Sequence, residues 1–262
     1  PARKTCLSNG AKFRNFKLAI RITDVTSCRL HFGGPGHPDG RLRDLLSERI
    51  AEVPAGGAID WVTYYFRDRR LAGDLIAARR RGVDVRVTLD GYPRTSGANA
   101  AVISVLKEGL QGGLRVVSAV TDRLLLGKAL RPRLHEKLYC FSHPQPTAWV
   151  GSFNPSGDVP ELEPEVIREI GDHDRGFNLL VELRDQQLVA ALAAHAQALH
   201  SGPHGPFDRF HPVANRGFTF GDVGVHFWPR IGPDPVNRWL AGLPAGSRVR
   251  LAASHVSGPT AR

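Results

Sequence analysis

The chain has 262 residues, with 35 Lys and Arg against 25 Asp and Glu, a formal net charge of +10 with histidine neutral. Its 42% hydrophobic and 23% charged residues suit a globular protein with one large core or two small ones, and exclude a disordered or fibrous class. No run approaches the ~18 apolar residues of a membrane span, and residues 1–29 lack the apolar stretch of an intact signal peptide, so the chain reads as soluble with its compartment unassigned.

The charge is uneven. Residues 1–29 carry seven Lys and Arg against Asp24 alone and read as a basic N-terminal arm. Such an arm holds nucleic acid or an anionic membrane surface; the plain alternative is a solvated, disordered tail. Methionine is absent, position 1 included, and the chain reads as a fragment of a longer protein. Of three cysteines, Cys6 and Cys28 are candidates for a disulfide in an oxidising compartment, and Cys140 reads as a packed thiol.

Leu42, Leu45, Leu46, Ile50 and Val53 fall on one stripe, which predicts a helix over 41–53, ended by Pro54-Ala-Gly-Gly57. Residues 59–66 read as a strand and 71–81 as an amphipathic helix with Arg79, Arg80 and Arg81 at its C-terminal end, where cations suit the dipole. Gly82 stops that helix, and 83–89 reads as the next strand. A strand–helix–strand unit of this kind builds parallel sheet. Ligands on such sheets bind beyond the strand C-termini, which places Tyr64, Tyr65, Phe66 and the loop 90–99 near a substrate. A further helix is predicted at 100–110 and another strand at 114–120.

Then comes Leu134-His-Glu-Lys-Leu-Tyr-Cys-Phe141, read as a single strand with His135, Lys137 and Tyr139 on one face. Ala148-Trp-Val-Gly-Ser-Phe-Asn-Pro155 reads as a further strand running into a Gly-Ser turn that presents Asn154. A histidine, a lysine, a serine and an amide at one rim of a sheet suit a phosphate ester. The imidazole attacks phosphorus, while the ammonium and the amide donate to the non-bridging oxygens. No metal or other cofactor is required.

Those residues carry a resemblance. H-x-K on one strand and G-S-x-N on the next resemble the signature of the phospholipase D superfamily, H-x-K-x(4)-D followed by G-S-x-N. His135 and Lys137 match the first part; Gly151, Ser152 and Asn154 match the second. Ser142 stands at the aspartate position, and the gap to Gly151 is slightly longer than the family's. The resemblance implies an α/β fold, a phospholipase D-like mixed sheet flanked by helices, in two repeats that share one active site. It implies His135 as a nucleophile forming phosphohistidine, with Lys137 and Asn154 as its catalytic partners on the phosphoryl oxygens. Ser152 supports them; Tyr64 and Tyr65, placed near a substrate by the sheet topology, complete the substrate-binding set. An acidic residue orienting a catalytic histidine is expected just before the strand at 177–183, where Asp174 stands.

Residues 156–171 read as a solvated acidic loop with Glu161, Glu163, Glu165 and Glu169, and 188–199 as an apolar core helix. His200, His204 and His211 follow in a Gly/Pro-rich loop; with no Cys or carboxylate at ligand spacing they read as loop surface and not as a zinc site. Then the chain repeats itself. His226-Phe227 echoes His31-Phe32 and Pro233-Asp234 echoes Pro38-Asp39, both 195 residues on, and Leu243-Pro-Ala-Gly246 echoes Val53-Pro-Ala-Gly56, 190 residues on. A helix at 236–243 lies between, and a strand at 249–253 matches 59–63.

The expected organisation is therefore the arm 1–29, a first repeat over 30–215, and a truncated second repeat opening over 216–262, with its own H-x-K beyond Arg262. The expected function is hydrolysis or transfer of a phosphodiester through phosphohistidine, on a phospholipid headgroup. A nuclease is the alternative, favoured by the basic charge, and a non-catalytic anion-binding module is a third. A homodimer pairing two His135 sites would supply the second motif.

Overall fold

The computed structural model describes residues 15–22, 28–93, 95–117, 122–123, 129–130, 133–155, 157, 164, 176–202, 217–221, 223–228 and 235–248. The first elements are β1 (Asn15–Ile22), β2 (Cys28–Gly33), α1 (Arg41–Glu52), β3 (Ala58–Thr63), α2 (Arg69–Arg80), β4 (Asp84–Asp90), α3 (Ala100–Leu110) and β5 (Leu114–Val117). Four short strands follow, β6 (Asp122–Arg123), β7 (Ala129–Leu130), β8 (Arg133–Leu134) and β9 (Leu138–Phe141). The rest are β10 (Thr147–Gly151), β11 (Asn178–Leu183), α4 (Gln186–Ser201), β12 (Phe218–Phe220), β13 (Val223–Trp228) and α5 (Pro235–Ala241).

Seven strands form one mixed sheet in the order β2-β11-β10-β9-β3-β4-β5, and four form a smaller sheet, β12-β13-β1-β8. The large sheet is parallel where α2 and α3 cross from β3 to β4 to β5, and antiparallel from β3 out to β2. Strand residues alternate between its two faces. Ile59, Trp61, Tyr139, Phe141 and Trp149 pack in one cluster with α1, α2 and α3. Val62, Leu138, Cys140, Ala148 and Val150 pack in the other with α4 and with Val223, Val225 and Phe227 of the small sheet. The helix α4 therefore lies between two sheets.

Caps set the helix starts. The Asp68 carboxylate accepts the Leu71 N–H at 2.9 Å ahead of α2, and Asp185 accepts the Leu188 N–H at 2.8 Å ahead of α4. Gly82, at φ 92°, turns the chain out of α2 in a conformation that side chains resist. Trp61 sits at the centre, its ring 4.2 Å from Tyr139 and 5.5 Å from Phe66; truncating it to Ala would cost roughly 3–5 kcal/mol.

Two sequence expectations change here. The single strand read over 134–141 is two strands in two sheets: β8 pairs with β1, whereas β9 pairs with β3 and β10. Residues 135–137 cross from one sheet to the other and belong to no ladder. The basic arm read over 1–29 contains β1 and the start of β2; residues 1–14 lie outside the described set. The alternation of Phe16, Leu18, Ile20 and Ile22 is strand patterning, which the cations between them masked.

The internal echo has a structural counterpart. His31 and His226 both lie in strands, and Gly56 and Gly246 both take positive φ, 81° and 83°. Moreover, β1 meets β13 as β11 meets β2: Ala19 pairs with His226, and Leu180 with His31. The two strands read alike, Phe16-Lys-Leu-Ala-Ile-Arg-Ile22 against Phe177-Asn-Leu-Leu-Val-Glu-Leu183. The strand expected at 249–253 lies outside the described residues.

Candidate active site

Because β3 and β4 are parallel neighbours, their C-terminal ends lie side by side, and buried polar side chains tie them together. Asn99 donates from Nδ2 to the carbonyls of Tyr64 (2.8 Å) and Asp90 (3.0 Å), and its Oδ1 accepts the Phe66 N–H at 2.9 Å. The Asp90 carboxylate accepts the Tyr92 N–H at 2.7 Å and the Leu134 N–H at 2.6 Å. Buried backbone groups left without partners cost about 1–3 kcal/mol each, so this network fixes the residue just before His135.

The crossing 135–137 lies against that platform. The half-buried His135 ring and the Tyr64 ring meet at 4.8 Å and 52°. Lys137 is buried; its Nζ donates to the His135 carbonyl at 3.1 Å and stands 5.3 Å from the Tyr64 ring centroid. Asn154 comes from the turn after β10, and its Oδ1 accepts the Tyr65 N–H at 3.2 Å. The amide oxygen is thus engaged, and its NH₂ is the end suited to a phosphoryl oxygen. His135, Lys137 and Asn154 all meet the Tyr64–Tyr65 pair.

Tyr64 and Tyr65 are both buried, and they underlie the site instead of forming an open wall. The Tyr65 hydroxyl accepts the Thr95 N–H at 3.1 Å. Ser152 is exposed, but its hydroxyl donates to Asn178 Oδ1 and accepts the Leu179 N–H, each at 3.1 Å. It pins the turn that presents Asn154 to β11. Gly151 is required there, since a Cβ would stand 1.9 Å from the Leu179 carbonyl oxygen. Ser142, at the signature aspartate position, lies past the far end of β9 and accepts the Ala58 N–H at 2.7 Å. A hydroxyl therefore closes the join between β3 and β9.

Asp174, His204, His211 and the acidic-loop glutamates Glu161, Glu163, Glu165 and Glu169 lie outside the described residues. His200 belongs to the last turn of α4, 3.2 Å from the Thr88 hydroxyl, and burial and the nearby Arg86 push its pKa down. Among the described residues no three His, Cys, Asp or Glu side chains gather as a metal site. Sequence reasoning placed the loop 90–99 near a substrate but gave Asp90 and Asn99 no role, and it missed Asn178. Asp90 and Asn99 had one signal, their position in the loop beyond a strand C-terminus.

Away from this site, His31 donates to Glu182 at 2.9 Å and stacks on Trp149 at 4.6 Å and 8°. Burial pushes the Glu182 carboxyl up, but hydrogen bonds from His31 and Arg184 outweigh it and hold the group down at about 2.

Residues 53–196 match the family model described as "Cardiolipin synthase, PLD-like domain". No curated protein matches. Among solved structures, Nuc from Salmonella typhimurium, a phospholipase D family member, is similar with a TM-score of 0.45 at 22% identity, over 65% of this chain and 92% of that one. NucT from Helicobacter pylori gives 0.45 at 12% identity, over 66% and 95%. Phosphatidylserine synthase from Haemophilus influenzae gives 0.46 at 11% identity, over 69% and 38%.

Proposed function

Because the chain belongs to the phospholipase D superfamily, we propose that it is a phosphodiesterase that works through His135. The observation that carries this reading is the convergence of His135, Lys137 and Asn154 on the Tyr64–Tyr65 pair. The His135 imidazole attacks phosphorus, the P–O bond to the leaving alcohol breaks, and a phosphohistidine forms. An acid on the opposite side protonates the leaving oxygen; water or a second alcohol then attacks phosphorus and frees the imidazole. Lys137 and the Asn154 amide donate to the non-bridging oxygens as charge collects on them. The opposing acid belongs to the second repeat, or to His135 of a second copy in a dimer. In this reading 30–215 is the first repeat and 216–262 opens the second.

The substrate we propose is a phospholipid headgroup, released by hydrolysis or exchanged for another alcohol. The test is headgroup release from vesicles of phosphatidylcholine and phosphatidylglycerol, with nicking of supercoiled plasmid alongside. Release without nicking supports the lipid reading. The charge of +10 favours a nuclease instead, and nicking without release would establish it. If neither occurs and no ³²P-phosphoenzyme forms even with the second repeat supplied, the site is a non-catalytic anion-binding module.

A further inference from the structure

Glu136 stands between His135 and Lys137 and is only 1% exposed. On α4, His195 Nε2 donates to its Oε2 at 3.0 Å, while its Oε1 has no hydrogen-bond partner among the described residues. The other side of the contact is also packed: the His195 ring stacks on Phe227 of β13 at 3.9 Å and 23°. These groups sit in the layer where Leu138, Leu192, Ala196 and Phe227 form apolar core.

A buried polar pair is a poor source of stability. Desolvation offsets most of the attraction, and apolar residues of similar volume often do as well or better. An orphaned carboxylate oxygen makes the balance worse. The position of Glu136 points to another role. Residues 135–137 have no ladder to orient them; Asp90 holds the crossing at the Leu134 N–H, and the Gly151 N–H holds it at the Lys137 carbonyl, 3.4 Å away. The Glu136–His195 hydrogen bond adds an anchor from α4 to those that reach the crossing from β4 and β10.

We infer that Glu136 and His195 are positioning residues for phosphoryl transfer, clamping the crossing so that His135 and Lys137 keep their orientation at the rim. The inference rests on the reading of His135 as nucleophile. Its second element is the stack on Phe227, through which the packing of β13 reaches the nucleophile by two side chains. Misplacing a reacting group by about 1 Å costs on the order of a hundredfold in rate, which sets the size of the effect.

The test is the apolar double variant Glu136→Leu/His195→Leu, measured by urea unfolding, by turnover of bis-p-nitrophenyl phosphate, and by amide hydrogen exchange at 134–138. The expected result is a urea midpoint at or above the wild-type value, a kcat about a hundredfold lower, KM near wild type, and faster exchange confined to the crossing. Glu136→Gln, which keeps an acceptor for His195, holds kcat near wild type. A stable double variant with wild-type kcat overturns the inference. If the diester is not turned over even where the opposing acid is supplied, by the second repeat or by a second copy, the phosphodiesterase reading fails by itself. The exchange then decides this one, and unchanged exchange in the double variant overturns it. Should the double variant not fold, His195→Gln against His195→Leu gives the same contrast.

Discussion

The carboxylate of Asp90 accepts the N–H of Leu134 at 2.6 Å, joining the end of a core strand to the residue that precedes the proposed nucleophile. The same carboxylate accepts the Tyr92 N–H at 2.7 Å. In Asp90→Ala both donors lose their acceptor inside the protein, at about 1–3 kcal/mol each. The variant should unfold at lower urea concentration and lose turnover even where it remains folded. A wild-type urea midpoint would show that water replaces the carboxylate.

His135→Ala should abolish turnover and leave the fold standing. The ring is half-buried against Tyr64, outside both core clusters, so its loss removes the proposed nucleophile and little packing. Circular dichroism and thermal unfolding check the fold while the diester assay checks the chemistry. Wild-type turnover in this variant would end the assignment.

Lys137→Arg should also impair turnover severely. The ammonium is buried, 3.1 Å from the His135 carbonyl, and close to Tyr64. A planar guanidinium needs more room and presents its donors in a different geometry. Near-normal kcat would reduce Lys137 to a general positive charge.

Stability should depend on Glu182 in acid. Its carboxyl is held at about 2 against an ordinary 4.5, so the folded state favours the ionised form. The stability this confers is fully present above pH about 4.5 and is lost as pH falls through about 2. Urea unfolding at a series of acid pH values should show the wild type losing stability faster than Glu182→Gln across that window. Parallel losses would mean the His31 and Arg184 contacts do not act on the folded carboxylate.

The helices α1 to α4 were legible because each buries one apolar stripe in the core. Val102, Leu106 and Leu110 put α3 at Ala100–Leu110, where the spacing predicts it. The motif strand was misread because an apolar pattern does not record a change of sheet: Leu134 and Leu138 are both buried, but their strands belong to different ladders. Glu136 had no sequence signal at all. Its partner His195 lies on a later helix, and a carboxylate between two motif residues looks like surface until α4 covers it. Ser142 was legible as a departure from the signature, but not as the acceptor for Ala58.

The placement of β1 has a consequence for how the molecule is made. It leaves the ribosome well ahead of its partners, which are Leu134 and then the stretch from Val223 to Trp228. Through much of synthesis, β1 must wait with its backbone groups unpaired, exposed to stray strand pairing. Contacts so distant along the chain form late. Since β8 is the strand from which the His135 crossing departs, the motif acquires its final setting only after Trp228 has emerged.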